Sequence, residues 1–136
     1  MSDAIERFIE NDSFARSIGV EILEHGQGTA RARLELKKEH LNSAGTAHGG
    51  LIFSLADAVF SVASNSHGTL AVAINVSISF FKAVKEGILT AEGREISLNP
   101  KLATYLIDVR DETGDLVACF QGTVYRKRDR LEEILK

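Results

Sequence analysis

The chain has 136 residues, 44% of them hydrophobic and 26% charged, with a net charge of −3. That length fits one domain with a core of its own, spanning residues 1–136. The acidic balance excludes a general nucleic-acid or membrane-surface binder, the lone Cys119 excludes an intrachain disulfide, and no apolar run reaches the roughly 20 residues of a membrane span.

The first segment, MSDAIERFIENDS, mixes acids among its apolar residues, unlike a secretory leader. A cytoplasmic protein is therefore expected. Ile5, Phe8 and Ile9 recur at helical spacing, with Ser2 or Asp3 as a cap. FARSIG makes a further turn. VEILEHGQGTARARLEL reads as a hairpin turning at HGQG, because Ala30, Ala32, Leu34 and Leu36 alternate with polar residues. KKEHLNSAGTAHGG is a loop of small and polar residues.

From Gly50 to about Asn65 the pattern is helical and apolar nearly all round, so the helix is expected to be buried nearly all round. Four strands follow: VAINVSISF, ILTAEGREIS, KLATYLIDVR and DLVACFQGTVYRKR, with DETG turning the last pair. In the first of them Val72, Ile74, Val76, Ile78 and Phe80 occupy one face. DRLEEILK ends the chain as a helical turn or a frayed tail. One long buried helix among antiparallel strands is an α+β arrangement.

Between Leu41 and Phe81 the only Asp, Glu, Lys or Arg is Asp57. A buried, unpaired carboxylate costs several kcal/mol or shifts its pKa upward. Ser54, Asp57, Ser61 and Ser64 share a helix face, so Asp57 fits a solvated polar stripe as well as a working site. His48, Gly49 and Gly50 open the helix, where unpaired N–H groups and the positive dipole end suit a carbonyl oxygen or an oxyanion. Asp57 lies roughly 12 Å further along the axis. If both serve one reaction, they come from two subunits.

Asn42, then His48-Gly49-Gly50, then LADAVF carrying Asp57, with Asn65-Ser66, SFFKA and GTVYR beyond, resembles the PaaI-like, phenylacetyl-CoA type of hotdog-fold thioesterases. The resemblance runs from about Phe14 to Arg126. It implies a helix wrapped by a curved sheet, and a homodimer that joins two sheets edge to edge or a homotetramer built from such dimers. It implies an acyl-CoA substrate, and no cofactor beyond the substrate's own CoA. Gly49 then polarises the thioester carbonyl, and Asp57 of the other chain is nucleophile or general base. Asn42 matches a position that holds the water or the acid. His48 matches the position that shapes the oxyanion end, Gly50 is expected to bind the substrate, and Ser61, also on the substrate side, matches a position that assists water. The Ser that some relatives carry on the following strand aligns with Ala73, near Asn75, so that role is unassigned.

Lys82, Arg94, Lys101 and Arg126 are candidates for the CoA phosphates, Arg126 and Lys101 foremost. NPKLAT replaces a Gly-rich turn there. Phe53 and Phe60 line an acyl pocket or fill the core. His25, His40 and His67 are expected in exposed turns, and no spacing suits a metal. YRKRDR reads as a solvated strand end. Two other functions keep the same fold: a non-catalytic acyl-CoA-binding module and a hydratase or dehydratase.

Overall fold

The alternating segments form six strands, paired antiparallel in one sheet of order β1-β2-β4-β5-β6-β3. The computed structural model describes residues 2–135. The strands are β1 (Glu21–Gly26), β2 (Thr29–Glu35), β3 (Thr69–Phe80), β4 (Ile88–Leu98), β5 (Leu102–Arg110) and β6 (Leu116–Arg130). The helices are α1 (Ser2–Glu10), α2 (Ser13–Ser17), α3 (Gly49–Asn65) and α4 (Leu131–Ile134). The cap expected of Ser2 or Asp3 rests on side chains outside the described residues.

α3 lies on one face of the sheet and buries Leu55, Ala56, Val59, Phe60 and Ala63 against Leu34, Leu89, Ile107 and Phe120. Each large side chain removed from water there contributes about 1.5–3 kcal/mol. Two glycines let the helix approach this closely. A β-carbon on Gly93 would lie 2.7 Å from Val59 Cγ1, and one on Gly122 would lie 2.6 Å from Phe60 Cζ. Carbon atoms prefer about 3.5–4.0 Å, so neither position admits a side chain without moving the helix. Phe60 and Phe53 both pack on Phe120, with ring centroids 5.3 Å and 5.4 Å away. Phe60 is a core residue, whereas Phe53 packs on the core from the half-buried edge of α3.

α3 stops where Asn65 turns its side chain back into the protein. Its Nδ2 donates to Ser61 O at 2.9 Å and its Oδ1 accepts from Ala71 N at 3.0 Å. Ser66 Oγ accepts the Gly28 N–H at 2.8 Å, tying the helix end to the β1–β2 turn. The Asn-Ser pair is thus a structural joint between α3, β3 and the first hairpin.

β3 departs from its sequence pattern. Ala73 pairs with Val124 and Asn75 with Thr123, leaving Ile74 bulged out. A bulge reverses the alternation on its two sides. Val76, Ile78 and Phe80 face the core side with Gly122, Phe120 and Ala118, whereas Val72 falls on the outer face beside Tyr125. β3 is also an edge strand, with Val72, Ile74 and Phe80 exposed.

None of the three histidines expected in exposed turns is exposed, and only His67 lies in a turn. His25 lies in β1, 2.9 Å from Glu6, and His40 is buried with Nδ1 accepting from Lys37 N at 2.9 Å. His67 is 2.7 Å from Glu95, whose carboxylate also accepts from Tyr105 Oη at 2.5 Å. Their partners lie on other elements, or in a local turn that folds back on itself, which the sequence pattern did not reveal.

Candidate active site

The loop entering α3 is organised by Asn42. Its Oδ1 accepts from Ala44 N at 2.9 Å and Thr46 N at 3.1 Å, and its Nδ2 donates to Thr46 Oγ1 at 3.1 Å. Such an Asx turn fixes the backbone that follows. Ala47 N–H donates to Val84 O at 2.7 Å and His48 N–H to His40 O at 2.9 Å, so the helix start is anchored from two sides.

His48 is the N-cap of α3, and its Nδ1 accepts from Gly50 N at 2.9 Å. That bond requires an unprotonated Nδ1, placing the neutral ring's proton on Nε2. Leu51 and Ile52 donate to His48 O. Among the described residues the Gly49 N–H donates to nothing. The cap therefore separates the two glycines: the Gly50 N–H is taken and the Gly49 N–H is left. Gly50, expected as a substrate-binding donor, is held by His48. Phe80 stands beside the free donor, its Cζ 3.4 Å from where a Gly49 β-carbon would be.

Asp57 sits about two turns along α3, on an edge shared with Phe53, Ser54 and Ser61, all half-buried. Ser64, the fourth member of the expected stripe, is buried. The Asp57 pKa is raised, first by burial of its carboxyl and second by the nearby Asp12 carboxylate, with no hydrogen bond or cation acting against them. Asp12 was not singled out in the sequence. It lies 45 residues upstream, and only the packing of α2 on α3 brings it close.

The site thus presents an unpaired donor at the helix start and an unneutralised, partly desolvated carboxylate further along. In one chain they are roughly 12 Å apart along the axis, too far to flank a single carbonyl group. Lys101 and Arg126 are further still. Arg126 pairs with Ala71 near the start of β3, about 30 Å along that strand from Phe80 and Gly49. Arg126 Nη1 donates to Asn99 O at 2.9 Å, and its N–H donates to Lys101 O at 2.7 Å. Lys127 and Arg128 join Arg126 along a groove floored by Asn99 and Pro100. Sequence pattern had placed them on a solvated strand end. Lys82 is bound to Asp111 and Asp115 at 2.5 Å and 2.7 Å, and Arg94 lies on the outer sheet face, away from this groove. Among the described residues no group of three His, Cys, Asp or Glu could hold a metal ion. No helix is long and apolar enough to cross a membrane.

Comparison with known proteins identifies the family. Residues 44–118 match the family model described as the thioesterase superfamily. A protein of Archaeoglobus fulgidus with a provisional esterase name is 50% identical over 118 residues, covering 86% of this chain and 77% of its own. The acyl-coenzyme A thioesterase PaaI of Escherichia coli is 33% identical over 118 residues, 86% of this chain and 84% of its own. The solved Escherichia coli PaaI structure superposes with a TM-score of 0.90 at 29% identity, covering 94% of both chains. A Streptococcus mutans protein solved with acetyl-CoA bound superposes with a TM-score of 0.79 at 26% identity, over 82% of this chain and 91% of its own. The matched segment holds both the helix start and Asp57, and the sheet wraps α3 as in these relatives: the chain belongs to the thioesterase superfamily, as a PaaI-like enzyme of the hotdog fold.

Proposed function

We propose that this protein is a cytoplasmic, single-domain acyl-CoA thioesterase working at the interface of a homodimer. The observation that carries it is the pairing, on one helix, of a free Gly49 N–H with an unneutralised Asp57 carboxylate too distant to share a substrate within one chain. Joining two β3 edges antiparallel about a two-fold axis resolves the distance. With the two-fold axis near the Phe80 end, the two α3 helices run in opposite directions and the Gly49 start of one chain approaches the Asp57 stretch of the other. A 12-residue edge strand with exposed Val72, Ile74 and Phe80 suits such pairing, since an open edge presents unpaired N–H and C=O groups. The apolar row of Leu102, Tyr125 and Val72 on the outer face would then pair dimers into a homotetramer.

The thioester carbonyl oxygen accepts from Gly49 of one subunit, with the helix dipole behind the donor. Asp57 of the other subunit attacks the carbonyl carbon, or takes a proton from the water that does. The carbon becomes tetrahedral and its oxygen becomes an oxyanion. The C–S bond then breaks and CoA leaves as a thiolate, which takes the proton Asp57 drew from the water; on the nucleophile route the acyl group is left on Asp57 as an anhydride, which water hydrolyses to the free acid while supplying the thiolate's proton. A carboxylate with a raised pKa is a stronger base than an exposed one, which suits the task. His48 and Asn42 hold the donor in place, and Ser61 lies one turn beyond Asp57 to steady water. Antiparallel pairing also turns the groove of Arg126, Lys127 and Arg128, with Lys101 at its end, toward the partner's helix start. Its cations suit the CoA phosphates, and the acetyl-CoA-bound Streptococcus mutans relative supports a CoA ester as ligand. The chemistry uses no cofactor beyond the substrate's CoA.

Thiol release from a panel of acyl-CoAs, by wild type and by Asp57→Asn, tests the reading. Wild type should release thiol, and the variant should lose at least ~100-fold in kcat. CoA binding without turnover of any ester would instead identify a binding module, and loss of enoyl absorbance without free thiol a hydratase.

A further inference from the structure

Asp12, at the corner between α1 and α2, carries a charge that its local structure does not need. It is the N-cap of α2, with Oδ1 accepting the Ala15 N–H at 3.0 Å. Asn and Ser cap as well as Asp, so this bond asks for an oxygen and not for a charge. The carboxylate also stands in an unfavourable place. It borders a cavity of about 210 Å³ walled by Phe8, Ile9, Val20, Ile22, Ala58 and Val62. Ala58 directly follows Asp57 on α3, which brings the two acids together at this rim. Arg16, on the same rim beside Glu10, directs Nη1 at Glu10 O. α3 carries no other charge, the strands present Leu34, Leu89, Ile107 and Phe120 to it, and Glu95 is held by His67 and Tyr105 at its far end. Among the described residues neither Asp12 nor Asp57 forms an ion pair.

We propose that Asp12 is a positioning residue of the thioesterase site, whose fixed negative charge acts through Asp57 of the same chain. The inference rests on the thioesterase reading above. Two like charges facing one apolar rim without a cation cost stability, and a fold keeps such a conflict where its chemistry uses it. Here the use lies in the reaction itself. Asp57 gives up negative charge in the transition state, whether it takes a proton from water or bonds the carbonyl carbon. Repulsion from Asp12 is therefore present before the step and relieved during it. An interaction that improves only on the way to the transition state raises kcat and leaves substrate binding alone. The partner's helix start acts on Asp57 in the opposite sense, since its positive end favours the ionised acid. Asp12 offsets that pull and keeps Asp57 a base beside the donor.

Asp12→Asn and Asp12→Ser test this, because both keep a capping oxygen and remove the charge. With the charge gone Asp57 loses its proton more readily, so the acid limb of the pH–rate profile should move ~0.5–1 pH unit lower. On the plateau kcat should fall by ~2–5-fold with KM nearly unchanged. Neither variant should melt below wild type. Carbon-13 titration of the aspartate carboxyls, with Asp57→Asn to assign the signal, should show the same displacement without turnover. Asp12→Ala removes cap and charge together. An acid limb and an Asp57 titration that Asn and Ser leave in place overturn the assignment. So does activity lost only in Asp12→Ala together with a lower melt, which would leave Asp12 a capping residue. The two readings fail separately. Thiol release by wild type with an unmoved Asp57 titration removes only the role of Asp12. A displaced titration without thiol release by wild type removes only the hydrolysis.

Discussion

Mixed dimers test whether Gly49 and Asp57 act across the interface. One variant, Gly49→Pro, removes only the donor. Gly49 is the first helical residue, where proline is well accepted because that N–H has no partner in the helix. His48 before it has φ −61° and ψ 136°, the extended region a residue before proline requires. The added β-carbon meets Phe80 Cζ at 3.4 Å, an ordinary contact. The other variant, Asp57→Asn, removes only the acid. Each homodimer should be nearly inactive, since one oxyanion donor is worth about 10²–10³ in kcat. Unfolding and refolding the two together makes half of the dimers mixed. In each mixed dimer one site carries both lesions and the other carries neither. Activity should therefore recover to about a quarter of wild type, against about 1% or less in either parent. Thiol release reads this directly. If donor and acid worked within one chain, every site in every dimer would carry a lesion. A mixture no more active than its parents would refute the reasoning from the 12 Å separation.

Asp57→Asn should also stabilise the protein. The folded pKa of Asp57 is raised, so folding disfavours its ionised form. Wild-type stability is then fullest below the unfolded pKa and falls as pH rises through the folded one. The urea midpoint of the variant should exceed that of wild type by a margin that grows from acid to neutral pH. Glu95 has the opposite sign. Burial alone would raise its pKa, but hydrogen bonds from Tyr105 and His67 lower it overall. Its contribution is present above the unfolded pKa and is lost as pH falls through the folded one, and Glu95→Gln should flatten that acid limb in melting curves. Gly122→Ala should destabilise by about 1–3 kcal/mol, measured by urea unfolding, because its β-carbon would lie 2.6 Å from Phe60. An unchanged midpoint would contradict the packing of α3 on the sheet. Lys127→Ala with Arg128→Ala should raise KM for CoA esters and weaken its salt dependence, with kcat nearly unchanged.

The sequence by itself determined the elements and the outline of the site. Strict alternation in β2 and β5 and the all-round apolar pattern of α3 left little choice of structure, because each period buries one continuous surface. The Leu41–Phe81 stretch with a single acid marked Asp57, and the His-Gly-Gly start marked the donor, since both depend on residues adjacent in sequence. The tertiary structure decided what depends on distant partners. The bulge at Ile74 turned Val72 outward, and no local signal separates a bulged strand from a regular one. The His48 cap chose Gly49 over Gly50 through one hydrogen bond that composition cannot express. Phe60 went to the core because Gly93 and Gly122, far along the chain, let the helix sink onto the sheet. Asp12 reached Asp57, and the N-terminal helices enclosed a cavity beside it, only once α1 and α2 had packed across α3. Periodicity reports which faces of an element are apolar, but which faces meet is settled by packing, and both the electrostatics of Asp57 and the cavity beside it arise where faces meet.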